Sequence, residues 1–273
     1  MSYQPIIPVD GYVGWRFLQR TLPAQSAAHA NSPVAQRDEA YTRANIGAVT
    51  SATDLVSDRR LLRVALTAFG LADDLPNRAF IEKVLESSTT EQGSMVDRLT
   101  DKRYFKLAQA FGFADGPVPR SQSPDFAESL IKRFQDRSFE EAVGSQNESM
   151  RMALALERDL TELAGQPSTE ATKWYTVLGT PNLRAVFETA FLLPGSFGVL
   201  DVDKQVQILR DRTEHLTGQD TISQFADPGV LDSLNQRFLL SEQVEQIQAT
   251  STQSSALSLL QNGQASLNRL LGR

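Results

Sequence analysis

Apolar residues three and four apart, closed off by glycine, recur along this chain, and that period commits it to helices. In "LLRVALTAFGL" (61–71) Leu62, Ala65, Leu66 and Phe69 share one helical face before Gly70, and a second run with Phe80, Ile81, Val84 and Leu85 follows a short acidic turn. "YFKLAQAFGF" (104–113) repeats the device with Phe105, Ala108 and Phe111 before Gly112, and "DFAESLIKRF" supplies its second arm. "LRAVFETAFLL" (183–193) repeats it again with Val186, Phe187, Ala190 and Phe191, followed by a helix carrying Val206 and Leu209. Each copy reads as a helical hairpin with phenylalanine in the core. The spacing between copies is irregular, unlike that of a solenoid.

Three cap-then-proline pairs, Ser123-Pro124, Thr180-Pro181 and Asp227-Pro228, predict helix starts, because proline at the first helical position gives up an N–H that would be unpaired anyway. Gly70, Gly112, Gly165 and Gly179 predict helix ends in the left-handed conformation. Strand-length alternation is nearly absent. The expected fold is all-α: an irregular array of helical hairpins, a long central helix over "SFEEAVGSQNESMRMALALERDLTELAG" (138–165), and a C-terminal helical tail. The expected organisation is an N-terminal arm (1–33) ending in a flexible Ala/Ser-rich link, an N-terminal helical half (34–136), the central helix with a C-terminal half (137–240), and a polar amphipathic tail (241–273).

The chain has 27 Lys and Arg against 33 Asp and Glu, a net charge of -6, which disfavours a phosphate backbone, so nucleic acid is not an expected partner. Zero cysteines remove disulfides, thiolate nucleophiles and cysteine metal sites together. The start lacks a basic region followed by an apolar run, and no run is long and apolar enough to span a membrane, so neither a cleaved signal nor a span is expected.

Catalytic constellations are not found. "PGSFG" places Ser196 one position wrong for a nucleophile elbow, and no phosphate-cradling glycine loop is present. His29 and His215 stand alone, Asp201 and Asp203 read as helix-capping residues, and Asp73 and Asp74 read as a solvated turn. No catalytic, cofactor-binding or metal-ligating residue is assigned and no cofactor is implied.

What remains is contact surface. Trp15, Phe17 and Leu18 in "GYVGWRFLQRT" either tuck into the domain or await a partner. Arg59, Arg60 and Arg63 crowd a helix start, where cations oppose the macrodipole; they either form a docking patch or pair locally with Asp54 and Asp58. The tail carries a sparse apolar stripe with Val244, Ile247, Leu259, Leu260, Leu267, Leu270 and Leu271, too thin for a lone helix and suited to packing on a neighbour. Trp15, Phe17, Leu18, Arg59, Arg60, Arg63, Leu259, Leu260, Leu267 and Leu271 are thus the candidate partner-binding residues.

The ordered blocks "GWRFLQRT", "DRRLLRVALTAFGL", "NRAFIEKVL", "FEEAVGSQ", "LRAVFETA" and "QFADP", over about residues 11 to 240, resemble a bacterial family catalogued as domain of unknown function 1217, whose members often accompany flagellar genes. The resemblance implies a helical fold and a flagellar association; it carries no catalytic residues. The expected function is a non-enzymatic, flagellum-associated protein acting through protein contacts, either in the cytoplasm or at the flagellum by a route without a cleaved signal. The alternatives are an enzyme or small-ligand binder with a pocket between hairpins, and a cytoplasmic export chaperone or regulator of flagellar assembly.

Overall fold

The computed structural model describes residues 3–247, so the tail residues Leu259, Leu260, Leu267 and Leu271 lie outside the described part. Among the described residues there are helices and no strands. In chain order they are α1 (Gly11–Ala30), α2 (Pro33–Asn45), α3 (Ala52–Ser57), α4 (Arg59–Ala68), α5 (Arg78–Leu85), α6 (Met95–Arg98), α7 (Lys102–Phe111), α8 (Phe126–Gly144), α9 (Glu148–Ala164), α10 (Glu170–Gly179), α11 (Pro181–Ala190), α12 (Val202–Thr217) and α13 (228–247), with short 3₁₀ turns between them.

Two hydrophobic cores organise them. One gathers α3 to α7 around Leu62, Leu66, Ile81, Val84, Leu107 and Phe111. The other gathers α9 to α13 around Met150, Leu160, Trp174, Phe187, Leu209 and Phe238. Helix α8 belongs to both: Leu130 and Phe134 sit in the first core, and Phe139 and Val143 in the second. It packs against α4, α2 and α1 on its way to α9.

The predicted helix pairs are present in chain order, α4–α5, α7–α8 and α11–α12, although their second arms pack mainly on other helices, α5 on α3 and α7, α8 on α4 and α9, and α12 on α10. Phe69, Phe111 and Phe191 all lie in the cores, and the residue after each has a positive φ: Gly70 at 70°, Gly112 at 62° and Leu192 at 50°. The first and third copies also share their terminal hydrogen bonding, with Leu71 N–H donating to the Leu66 carbonyl at 2.8 Å and Leu193 N–H to the Glu188 carbonyl at 2.9 Å. Both satisfy an otherwise orphan carbonyl by a Schellman turn. Gly165 and Gly179 also mark helix ends, but neither has a positive φ.

Several expectations are corrected. The single long helix over 138–165 is two helices: α8 ends at Gly144, and Asn147 caps α9 by accepting from the Met150 N–H at 2.9 Å. Helix α8 begins at Phe126, two residues after the predicted proline start, with Ser123-Pro124 in the preceding turn. The N-terminal arm with its flexible link is ordered helix. α1 runs through Pro23, and α2 starts at the pair Ser32-Pro33, whose serine accepts from Ala35 N–H. His29 is half-buried, with Nε2 3.0 Å from the Ser138 hydroxyl and its ring edge-on to Phe139. The arm therefore belongs to the second core, because Trp15 and Leu18 pack there. Finally, α13 continues past Leu240 to 247, and Ser241 is buried beside the Ala190 carbonyl, so no helix boundary falls at 240.

Candidate functional site

The halves face each other across a cleft of about 140 Å³. Its floor is α8 and α9, one wall is the end of α4 with the start of α7, and the other is the junction of α10 and α11. Six cations line it: Lys102, Arg103, Lys106, Arg133, Arg137 and Arg158. Four acids line it too: Asp101, Asp136, Asp159 and Glu162. Phe69, Leu163 and Leu183 supply apolar surface.

The charges are partly matched. Arg158 donates to buried Glu140, and its Nε donates to Asp159 at 3.0 Å. Arg137 is held more loosely, with Nη1 3.5 Å from Glu140 and Nη2 3.6 Å from Asp159. Burial pushes both guanidiniums below their ordinary pKa; Asp159 opposes the shift in each case, while Arg103 adds to it at Arg137 and Arg137 adds to it at Arg158. Burial also pulls Arg103 down, but its hydrogen bonds and charge pairing with Asp101 carry it above its ordinary value. Arg103 donates as well to the carbonyl of Gly70. Lys106 reaches Glu162 at 3.0 Å, tying α7 to α9 across the cleft. Arg133 lies over the Phe69 ring, 5.7 Å from its centroid.

Helix α11 points its N-terminus at this cleft. Thr180 is its cap residue, but its hydroxyl donates backwards to the Thr176 carbonyl at 2.8 Å. The N–H groups of Asn182 and Leu183 therefore have no acceptor among the described residues.

The residues singled out from the sequence lie elsewhere. Trp15 and Leu18 are fully buried, so they form core and are not free contact residues; Phe17 is half-buried with Arg20 over its ring at 5.8 Å. Arg60 and Arg63 do not pair with Asp54 or Asp58: both converge on buried Asp38 of α2, at 2.9 and 2.7 Å. Asp54 and Asp58 are occupied as helix caps. Arg59 stays exposed on the rim of a shallow depression. Of the cleft lining, the sequence marked Phe69, Gly179 and the paired helix start at Thr180-Pro181, each for its place in a helix and none for chemistry.

Among the described residues no three His, Cys, Asp or Glu side chains converge as a metal site, and no helix is long and apolar enough to cross a membrane. An exposed apolar row does occur: Leu240, Val244 and Ile247 on α13 are 46%, 44% and 69% exposed.

Comparison with known proteins places the chain. The family described as a protein of unknown function, DUF1217, matches residues 68–231. The chain belongs to this family. A crystal structure of a structural-genomics target from Agrobacterium tumefaciens is similar at 26% identity and a TM-score of 0.72, covering 89% of this chain and 99% of that one. No curated protein matches. The match to DUF1217 begins at the last residue of α4, so the block around Trp15 lies outside it, while the structural likeness takes in most of the chain.

Proposed function

We propose that this DUF1217 protein acts through protein contacts rather than by catalysis, as a flagellum-associated component, with helix α13 as the docking element. The observation that carries the reading is the row Leu240, Val244 and Ile247. These side chains stand four and three residues apart on α13 and remain exposed although the same helix sinks Leu231, Leu234 and Phe238 in the core. Apolar residues at that spacing form the seam on which a second amphipathic helix lies. The row leads directly into residues 248–273, whose leucines extend the apolar sequence pattern. The flagellar setting rests on the resemblance of the ordered sequence blocks.

The partner in this reading is an amphipathic helix of a flagellar protein. The test is complementation of a deletion strain with the full chain and with the double variant Val244→Glu, Ile247→Glu, scored for swimming and for filament length. The variant is expected to melt with the parent, since both side chains are exposed, and to fail to restore swimming. A deletion strain that swims normally, or a double variant that restores swimming fully, would overturn the reading.

A further inference from the structure

We propose that the cleft between the halves is a binding site for a small organic carboxylate, held by Arg137 and the two open amides of α11. The proposal does not rest on the protein-contact reading. Three features of the cleft converge on it.

Positive groups exceed negative ones in its lining, six to four, in a chain whose net charge is -6. Cations that outnumber acids in a cavity are an unfavourable arrangement on their own: Arg103 opposes the charge of Arg137 and Arg137 that of Arg158, and Asp159 offsets the repulsion only in part. An anion placed between them relieves the repulsion.

The donors are also under-used. Arg137 makes only the long contact to Glu140 and the still longer approach to Asp159, which leaves most of its five N–H groups uncommitted. Arg158 Nη2 is buried without a well-aligned acceptor, although Asp159 lies 3.0 Å away. Asn182 and Leu183 present two more free N–H groups at the positive end of the α11 dipole. A guanidinium fork and a pair of amides lining one cavity match a planar two-oxygen acceptor.

The lining also selects among anions. The positive excess is small, so an anion whose charge is divided between separated carboxylates, as in succinate, suits the cleft better than the compact double charge of phosphate. Phe69, Leu163 and Leu183 offer apolar surface for the body of the ligand, and the volume admits a molecule of a few heavy atoms.

The experiment titrates the full chain with succinate, and separately with inorganic phosphate and chloride at matched ionic strength. The readout is the backbone amide signals of Asn182 and Leu183 and the side-chain Nε–H signal of Arg137. Succinate is expected to shift all three saturably in the millimolar range or tighter, and chloride is expected not to. The variant Asn182→Glu places a carboxylate at the second helical position, where it suits the dipole and competes for the same donors. It should stay folded and weaken succinate binding by about tenfold or more. Arg133→Gln, an exposed change at the cleft, should weaken binding more modestly. Absence of a saturable response, or an unchanged affinity in Asn182→Glu, would overturn the site. Phosphate binding more tightly than succinate would overturn the carboxylate assignment.

Discussion

Leu192 adopts the left-handed backbone conformation that Gly70 adopts at the matching point of the first hairpin, with φ of 50° against 70°. Glycine takes that conformation freely, whereas a side chain with a Cβ is strained there by about 1–2 kcal/mol. The Leu192 side chain is 52% exposed, so little burial offsets the strain. Leu192→Gly should therefore stabilise the protein by about 1 kcal/mol, seen as a higher urea midpoint with an unchanged slope. A lower midpoint would mean that the leucine makes contacts outweighing its strain.

Asp38 is almost completely buried and holds Arg60 and Arg63, whose side chains stay about 40% exposed. Removing the acid leaves two cations that still reach water, while removing the cations strands a buried carboxylate. Arg60→Ala with Arg63→Ala should thus destabilise by about 3 kcal/mol, more than Asp38→Asn. Urea unfolding of the three proteins checks the order; equal losses would show that packing, and not charge, sets the cost.

Phe111 is fully buried and packs against Phe113 and Phe126, with ring centroids 5.3 and 5.1 Å apart. Phe111→Ala should cost about 3–5 kcal/mol. Phe69→Ala should cost less, because that ring also meets the guanidinium of an exposed arginine, Arg133, which can return to water. Thermal melting ranks the two.

Burial raises the pKa of Glu157 above the ordinary carboxylate value, with Asp232 adding to the shift and hydrogen bonds from Gln19 and Asn235 opposing it. The folded state then keeps a proton that the unfolded chain has already released. Stability falls as pH rises from the ordinary carboxylate range through the raised folded value, and the deficit persists above it. Glu157→Gln keeps an acceptor for both amide donors and should melt above the parent at neutral pH. The gap should close toward about pH 4, where both side chains are neutral. A gap independent of pH would assign the gain to packing.

Lys173 is 3% exposed and donates to the carbonyl of Ala164, the last residue of α9, at 2.8 Å and to the Ser223 hydroxyl at 2.7 Å. Lys173→Met retains the length of the side chain and removes the donors. It should cost about 2–3 kcal/mol by leaving a buried carbonyl at a negative helix end unpaired, measured by urea unfolding. Lys173→Arg should recover part of the loss.

The helical period was legible wherever one face alone is buried, which is why the residues around Leu62, Phe111 and Phe187 were placed correctly. It failed where the pattern tolerates two readings. The apolar face of α8 runs on in register into α9 across Gly144 and Asn147, so nothing in the spacing marks the break. Pro23 and the alanines after it read as a link, yet the aromatics before them anchor α1 to the second core and carry the helix through. Ser32-Pro33 carried the same start signature as Thr180-Pro181 and could have been read from it. The cleft had no local signal: Arg103, Arg137 and Arg158 come from three helices, and only packing brings them together.

The membership of α8 in both cores sets a rule for how this chain can vary. Phe134 faces one core and Phe139 the other along a single rod. One residue inserted between them would turn everything beyond by about 100°, and the two faces could no longer meet their cores together. Length changes are therefore barred from this stretch and admitted by connections such as 86–94. Relatives of this protein should differ in loop length freely while keeping the count of residues between these two phenylalanines fixed.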